Sequence, residues 1–396
     1  MTKIVVIGAG PVGVVSALAC AQRGWDVILL EALPAVDSSP RAATTHPATL
    51  EMIARIGLIE EYIAQGLVAR YVQFWDRRTL TKIAEFDHDI LRDETQFPFV
   101  VQTEQHKLAN MGIARFRELD GRVLFSTPVS AIRQDESGVT ITAGESEFHA
   151  DYVIAADGGR STTRHALNIA FEGYTWPERF LVVTTANDFE KKLGCCYRNY
   201  IADPDEWCNV FKVAGDDGKG RWRVVLPTRN DETDEEALTE ASAQSRLQRL
   251  SPLSAPYEIL HTNLYKVHQR VAARFREGRI FLAGDAAHIN NPIGGLGLNS
   301  GIHDAMDLVD TLDCVITRKS DPSLLDRYDR RRRQMNIKFV QQASVINKKR
   351  LEERDPVQRK ARFEELQTAA ADPEKHKQFL LRSSLLQSMR EARLIA

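Results

Sequence analysis

The 396-residue sequence predicts an α/β fold, and three observations support that prediction. A buried strand, a glycine-rich turn and a helix follow one another at the N-terminus. The middle of the chain, about 174–264, contains alternating strand-like runs that are typical of an antiparallel sheet. The residues after Arg330 are highly charged and helix-forming. We therefore predict a Rossmann-like dinucleotide-binding domain with an inserted antiparallel sheet and a helical C-terminal tail.

The first strand leads into a dinucleotide-binding fingerprint. Residues 3–7 form a run that is continuously apolar after Lys3, which predicts a strand buried on both faces. Gly8, Gly10 and Gly13 then suit a tight turn, a close approach to a pyrophosphate and close packing of helix on strand. A helix and a second strand follow, and Glu31 ends that strand, where a carboxylate can bind ribose hydroxyls. An ordinary glycine-rich turn would leave Glu31 unexplained, but the fingerprint alone does not separate NAD from FAD.

The composition narrows the classes of function. Hydrophobic residues make up 43% and charged residues 27%, and the formal net charge is −2. This balance gives no sign of a nucleic-acid partner, and no run of about eighteen apolar residues indicates a membrane span. The N-terminus enters the first strand at once, so we expect no signal peptide. The five cysteines lack metal-binding spacing, which predicts reduced thiols, no metal site and a cytoplasmic location.

The region after Glu31 supplies further candidate contacts. An aperiodic loop carries Arg41, and His46 stands just before a helix opened by a proline. Gln102 follows a short predicted strand over 97–101 and leads into another helix. Short strands in the next stretch predict a small antiparallel unit, at 123–125, 129–133 and 139–143.

Two further buried strands end in an aspartate beside a glycine. A strand over 152–156 ends in Asp157, and one over 279–283 ends in Gly284 and Asp285. A glycine-rich stretch through Asn299 then precedes a helix. Each aspartate on its own could belong to an ordinary strand-end turn.

Together with the fingerprint, these motifs resemble those of the single-component FAD-dependent aromatic hydroxylases, the group that includes para-hydroxybenzoate hydroxylase. The three motifs stand in the family's order, and the resemblance covers about 1–345. It implies that Asp285 holds the ribityl hydroxyls of FAD and that backbone N–H groups near Leu298 face the flavin. The cofactor-binding residues that it implies are Gly8, Gly10, Gly13, Glu31, Arg41, Gln102, Asp157, Gly284, Asp285, Gly297, Leu298 and Asn299.

The resemblance also implies domain boundaries. A discontinuous FAD-binding domain takes up most of the chain, an inserted sheet binds the substrate, and a helical segment ends the chain. The predicted ranges are 1–75, 100–173 and 265–345 for the FAD-binding domain, 76–99 and 174–264 for the substrate domain, and 346–396 for the C-terminal segment.

The implied reaction is hydroxylation of a small phenolic or heteroaromatic compound. In that family NADH or NADPH reduces FAD, O2 adds to give a C4a-hydroperoxide, and an electron-rich ring takes its distal oxygen. There is a single fingerprint, so the reductant is expected to dock transiently. The basic stretch 265–274 is either its docking surface or a solvated basic face. The expected partners are the aromatic substrate and O2, without nucleic acid or membrane, and a homodimer is left open.

Substrate contacts are expected from the inserted sheet and from residues near the flavin. The catalytic candidates are His46, Tyr200, Arg223 and Pro292, and Trp207, Lys212 and Asn290 are further candidate contacts. Each of them could equally be a core or solvent-facing residue. An arginine that points inward would indicate a carboxylated substrate.

The sequence leaves two alternative functions open. A related FAD-dependent oxidoreductase, halogenase-like or reductase-like, would share the fold, although the WxWxIP motif usual in halogenases is missing. A non-catalytic flavin-binding protein is the other alternative.

Overall fold

The computed structural model describes residues 1–39, 41 and 43–396, so Pro40 and Ala42 of the predicted loop after Glu31 lie outside the described residues. In chain order the strands are β1 (Lys3–Ile7), β2 (Asp26–Leu30), β3 (Thr44–Thr45), β4 (Leu67–Ala69), β5 (Tyr71–Asp76), β6 (Thr81–Asp87), β7 (Val100–Gln102), β8 (Arg122–Leu124), β9 (Val129–Gln134), β10 (Val139–Ala143), β11 (Ser146–Ala150), β12 (Tyr152–Ala155), β13 (Phe171–Thr185), β14 (Arg198–Ala202), β15 (Cys208–Val213), β16 (Arg221–Pro227), β17 (Ile259–Ala272), β18 (Arg276–Glu277), β19 (Ile280–Leu282) and β20 (His288–Ile289). The α-helices are α1 (Pro11–Ala21), α2 (Pro47–Arg55), α3 (Ile59–Ala64), α4 (Gln105–Glu118), α5 (Thr162–Ala166), α6 (Phe189–Leu193), α7 (Asp234–Ala237), α8 (Glu240–Leu250), α9 (Leu296–Ile316), α10 (Asp326–Met335), α11 (Gln342–Glu352), α12 (Pro356–Ala371), α13 (Pro373–Ser383) and α14 (Leu386–Arg393).

A six-stranded sheet holds the N-terminal motifs. Its order is β18-β19-β12-β1-β2-β8, and its neighbours are parallel except for the β18–β19 pair. The strands that the sequence predicted before Gly8, Glu31, Asp157 and Gly284 are therefore adjacent in one sheet. Because parallel strands end at the same edge, the loops that follow them meet there. Helices α1 and α9 pack into the same hydrophobic core as this sheet.

The small antiparallel unit is present with different members. Its three strands are β9, β10 and β11. The strand predicted at 123–125 was wrongly assigned to it, since β8 pairs in parallel with β2 at the edge of the main sheet. The sequence shows that this segment is a strand, but a short run does not show its pairing partner.

The middle of the chain forms a larger antiparallel sheet, as predicted. Its order is β20-β17-β13-β16-β15-β14-β5-β6, and only β14 and β5 run parallel. The antiparallel pair of β5 and β6 lies at one edge of this sheet. The predicted boundaries at 75/76 and 264/265 cut through β5 and β17, which continue in this sheet to Asp76 and Ala272. The sheet is therefore wider than the predicted segments, and the division into domains stays a prediction.

The eight-stranded sheet has an inner and an outer face. Tyr200 and Val225 on one face share a hydrophobic core with Ile293 and Leu296, which lie just before and at the start of α9. We call this the inner face. Side chains on the other face, such as Trp222, pack with residues of α8. Because side chains alternate along a strand, the register decides which residues can reach the motifs of the main sheet.

Helices α12–α14 form the predicted C-terminal tail, which packs on the body of the chain. Phe379 of α13 stacks on Phe86 of β6 with 4.0 Å between ring centroids, and Leu380 is fully buried. Within the described residues, no helix is long and apolar enough to cross a membrane. The same residues contain no group of three or more histidine, cysteine or acidic side chains arranged to hold a metal.

Candidate active site

The three glycines of the first turn have three different environments. Gly8 has φ +101°, and a Cβ built on it would lie 2.4 Å from the carbonyl oxygen of Ala156. A Cβ on Gly13 would lie 1.8 Å from the carbonyl oxygen of Gly8. A Cβ on Gly10 would meet nothing within 4 Å. Gly8 and Gly13 are thus required by the fold itself, whereas Gly10 borders open space in front of α1, where a phosphate group could approach the backbone.

The two acidic residues beside this turn are held by hydrogen bonds. Glu31 accepts the backbone N–H of Ala9 at 2.6 Å and that of Leu33 at 2.9 Å. Asp157 accepts the Ser161 hydroxyl at 2.5 Å and the Thr163 N–H at 3.0 Å. The carboxylate of Asp157 therefore organises its own loop, which packs directly beside Gly8.

Asp285 lies just after the end of β19, at the edge of the main sheet where the strand-end loops meet. Its side chain is exposed, yet burial by the surrounding protein raises the pKa of its carboxyl, an effect that the charges of His288 and Arg41 partly offset. A side chain that is open to solvent but desolvated by its surroundings lies in a recess rather than on the outer surface. No hydrogen bond to a described residue contributes to its pKa, so this carboxylate is available to hydroxyl groups of a ligand.

The N-terminus of α9 is open at the same edge. Its N-cap is Gly295 at φ +66°, which provides no side-chain cap, and the first turn holds no acidic residue. The N–H groups of Leu296, Gly297 and Leu298 have no acceptor within the helix. The positive end of this 21-residue helix is thus left for an external acceptor.

Asn299 stabilises the loop in front of that helix. Its side chain accepts the His46 N–H at 2.8 Å and donates to the Thr44 carbonyl at 2.8 Å. Gln102 also contacts this loop, since its Oε1 accepts the Thr44 hydroxyl at 2.7 Å. Arg41 is exposed and forms an ion pair with Asp37 at 2.9 Å. The side chains of Asn299 and Gln102 therefore fix the segment through His46, and contacts of all three residues with FAD stay predictions.

A buried ionic network behind Gly284 was not foreseen from the sequence. Asp304 of α9 accepts the Gly284 N–H at 3.0 Å, pairs with His288 at 2.7 Å and pairs with Arg332 at 2.7 Å. Burial alone would raise the pKa of Asp304, but the charges of His288 and Arg332 and their hydrogen bonds lower it. The network fixes the loop that carries Asp285. Its members are 16 and 28 residues from Asp304, so no local spacing indicates it.

The inner face of the eight-stranded sheet carries polar groups opposite α9. Arg198, Phe211 and Arg223 lie side by side on neighbouring strands. Tyr200 lies two residues after Arg198 on the same strand, and its ring stacks on that of Phe74 with 5.3 Å between the ring centroids. Tyr265 is half-buried on the same side, where burial raises the pKa of its hydroxyl, partly offset by the charge of Arg223. Two of the predicted substrate residues, Tyr200 and Arg223, are thus on the inner face.

His46 is fully buried between this face and the loop that precedes α9. Its Nε2 donates to the Gly294 carbonyl at 2.9 Å, and its Nδ1 is buried without a partner. Burial, followed by the charge of Arg198, lowers the pKa of His46 well below its usual range. His46 therefore presents a neutral ring with an unused acceptor. Arg198 donates to the same carbonyl at 3.2 Å and to the Tyr200 hydroxyl at 3.0 Å.

The remaining candidates are placed differently from one another. Lys212 lies over the rings of Tyr197 and Trp222 on the outer face. Trp207 packs on Phe180 and borders a charged cleft of about 1110 Å³ away from the glycine motifs. Asn290 is half-buried, and its Oδ1 would lie 3.1 Å from a Cβ built on Gly297. Pro292 is exposed in the segment before α9. Asn290 and Pro292 are thus near the helix terminus, and Lys212 is not on the face that it was predicted to occupy.

These groups fit FAD as the cofactor. Gly10 leaves room at the first helix, Asp285 offers a free carboxylate in a recess, and α9 leaves its N-terminal N–H groups without acceptors. FAD carries a group for each of these sites. A phosphate fits beside Gly10, the hydroxyls of the ribityl chain fit Asp285, and a flavin oxygen that gains negative charge fits the N-terminus of α9.

Comparisons with known proteins agree with this fit. Residues 1–343 match a family model described as an FAD binding domain. Para-nitrophenol 4-monooxygenase of Pseudomonas sp. (strain WBC-3) is 34% identical over 391 residues, which cover 96% of this chain and 94% of that protein. 6-Hydroxy-3-succinoylpyridine 3-monooxygenase of Pseudomonas putida (strain DSM 28022 / S16) is 31% identical over 364 residues, which cover 89% and 90%. The crystal structure of p-nitrophenol 4-monooxygenase from Pseudomonas putida DLL-E4 superposes with a TM-score of 0.90 at 32% identity, covering 96% of this chain and 98% of that one.

Proposed function

The chain belongs to the FAD-dependent aromatic hydroxylases and is a flavoprotein monooxygenase, and from that premise we propose that it hydroxylates a small phenol or hydroxylated heteroaromatic ring with NADH or NADPH as reductant. The observation that supports this substrate class is the contact of the inner sheet face with the start of α9, where the aromatic ring of Tyr200 shares a core with Leu296 and the buried Nδ1 of His46 has no hydrogen-bond partner. The halogenase-like, reductase-like and non-catalytic alternatives have no counterpart among these relatives.

The chain's residues would hold and polarise the cofactor. When bound, FAD supplies hydride acceptance and oxygen activation. Asp285 would accept hydrogen bonds from the ribityl hydroxyls, and the N–H groups of Gly297 and Leu298 would face the flavin. The dipole of α9 favours negative charge at that edge, so it would stabilise the reduced cofactor.

The inner face would bind and orient the ring. Tyr200 and Arg223 would contact the substrate from the sheet, and His46 would accept a hydrogen bond at Nδ1. Pro292 would close the pocket beside α9 and help to exclude water. Nη2 of Arg223 lies 3.9 Å from Oε1 of Glu104, so the positive charge of Arg223 is already partly compensated within the protein.

The basic stretch on β17 is the proposed docking surface for the reductant. Burial lowers the pKa of His268, and the charges of Arg270, Lys266 and Arg160 lower it further. The contribution of Arg270, Lys266 and Arg160 reflects a local excess of positive charge, which suits the phosphates of a dinucleotide. The predictions of a cytoplasmic location and of a homodimer stay predictions.

Steady-state turnover tests the proposed function. FAD-loaded protein is assayed for NADH and NADPH oxidation with nitrophenols, hydroxypyridines and hydroxylated aromatic acids, and peroxide is quantified in parallel. We expect at least one phenol or hydroxypyridine to accelerate oxidation without an equivalent yield of peroxide. If every compound leaves the rate unchanged, or if all of the reductant is recovered as peroxide, the proposed function is wrong.

Replacing Asp285 with alanine is expected to weaken FAD binding without harming the apoprotein. The ribityl hydroxyls lose a charged acceptor, which is worth about 1.5–3 kcal/mol, or roughly 10- to 150-fold in Kd. The carboxylate has no protein hydrogen bond that contributes to its pKa, so thermal unfolding of the apoprotein should not shift downwards. FAD titration by calorimetry measures the effect, with the exposed Glu145→Ala as a matched control. An unchanged FAD affinity in the Asp285 variant would exclude the assigned role.

A further inference from the structure

Arg198 is a buried cation without a counter-charge. The residue is 7% exposed, and no carboxylate oxygen of a described residue lies within 4 Å of its guanidinium. Of its three nitrogens, only Nη2 donates to protein atoms, namely the Tyr200 hydroxyl and the Gly294 carbonyl. Nε and Nη1 make no protein hydrogen bond and are not among the fully enclosed polar atoms. A buried charge of this kind is costly unless something else compensates it.

Other buried arginines are compensated. Arg332 pairs with Asp304, Arg246 with Glu232, Arg359 with Asp76 and Arg223 with Glu104. Arg164 donates two nitrogens to carbonyls, lies 3.8 Å from the centre of the Phe171 ring and is close enough to Asp157 for its charge to act on the pKa.

The neighbours of Arg198 do not neutralise it either. Burial, and next the charge of Arg198, lower the pKa of His88 to about 3 and that of His46 well below its usual range. Both imidazoles are therefore uncharged at neutral pH. His88 has a buried Nε2 without a partner, as His46 has at Nδ1. The guanidinium also lies 5.5 Å from the centre of the Tyr200 ring, which adds a cation–π attraction but no negative charge. The surroundings of Arg198 are thus uncharged and incompletely hydrogen-bonded.

The position of Arg198 associates this charge with the active site. Gly294, which accepts from both Arg198 and His46, directly precedes the N-cap of α9. Arg198 also lies on the inner face, in register with Phe211 and Arg223. A ligand that compensates Arg198 would therefore lie between the sheet and the edge at which the flavin is expected.

We propose that Arg198 binds a single anionic oxygen of the substrate, the phenolate oxygen or its heteroaromatic equivalent, and so selects the ionised ring. The proposal rests on the proposed function and adds the residue and the ionic form that it recognises. Both bidentate edges of a guanidinium use Nη2, and here Nη2 already donates to two protein acceptors. The remaining Nε and Nη1 suit one oxygen atom rather than the two oxygens of a carboxylate.

Direct binding to the FAD-loaded protein tests this inference. Calorimetry compares 4-nitrophenol at a pH at which it is ionised with 4-nitroanisole, its neutral methyl ether, and with 4-nitrobenzoate. We expect the phenolate to bind at least about 30-fold more tightly than the ether, and the carboxylate to bind more weakly than the phenolate. Arg198→Met should remove the preference for the phenolate, and Arg198→Lys, which keeps a point charge, should retain part of it.

Stability of the apoprotein separates ligand binding from a structural role. Removing an uncompensated buried charge should not lower the melting temperature of Arg198→Met, whereas Arg332→Met, which breaks a buried pair, should lower it. The proposal is overturned if the wild type binds phenolate and ether equally or does not bind the phenolate. It is also overturned if Arg198→Met keeps the preference or loses as much stability as Arg332→Met. Selective phenolate binding without any hydroxylated product would contradict the proposed function and leave the role of Arg198 standing.

Discussion

Replacing Gly10 with valine is expected to weaken FAD binding severely while leaving the fold intact. A Cβ at this position meets no protein atom within 4 Å, and the residue has an ordinary φ of −67°. The cost to folding is limited to a poorer N-cap of α1, about 1 kcal/mol. The side chain would occupy the space through which the pyrophosphate approaches the helix N-terminus. Loss of two charged hydrogen bonds there would weaken FAD binding by about 100-fold or more.

Flavin content after purification and FAD titration of the apoprotein measure this effect. Gly13→Val is the informative comparison, because its side chain would collide with the Gly8 carbonyl at 1.8 Å and should prevent folding. Circular dichroism should therefore be native-like for the Gly10 variant and lost for the Gly13 variant. Normal flavin content in Gly10→Val would contradict the assignment of the pyrophosphate site.

Replacing Asp304 with asparagine is expected to cause the largest loss of stability. The substitution keeps the shape of the side chain but leaves the buried Arg332 without its counter-charge, which costs about 3–5 kcal/mol. The pKa of Asp304 is lowered in the folded state, so its contribution is complete above the ordinary carboxyl value of 3.8 and is lost as the pH falls through the lower folded value. The difference in the free energy of unfolding between wild type and variant should therefore have its full size at neutral pH and become smaller in acid.

Denaturant unfolding of the apoproteins measures that difference. Asp310→Asn is the matched control, since Asp310 lies on the same helix and pairs with Arg23 and Arg55 at the surface. Exposed pairs contribute about 0–1 kcal/mol, so the control should unfold almost as the wild type does. Equal losses in the two variants would show that the buried network does not stabilise the loop of Asp285.

The parts of the fold that could be predicted are those specified by short-range patterns. The strands before Gly8, Asp157 and Gly284 are continuous apolar runs, and each was located to within about a residue because a run buried on both faces has few alternatives. Which strands pair with each other depends on residues that are far apart in the sequence. This is why β8 was assigned to the wrong sheet and why the predicted boundaries cut through β5 and β17.

The candidate site shows the same limit. The glycine fingerprint and the aspartate after β19 are local sequence patterns, so they could be recognised from sequence, and their contacts with FAD stay predictions. Arg198 was missed although it lies on the same strand as Tyr200 and, two residues away, on the same face of the sheet. What the sequence does not show is that Arg198 lacks an acidic neighbour. The Asp304 network depends likewise on a meeting of distant residues.

Oxygen-isotope labelling tests the central claim most directly. The FAD-loaded protein is supplied with reductant, ¹⁸O₂ and the most active compound of the turnover panel, and product and peroxide are analysed by mass spectrometry. A monooxygenase places one ¹⁸O atom in each hydroxylated product. Product that carries oxygen from water, or label recovered only in peroxide, would contradict the assignment of this chain as an aromatic hydroxylase.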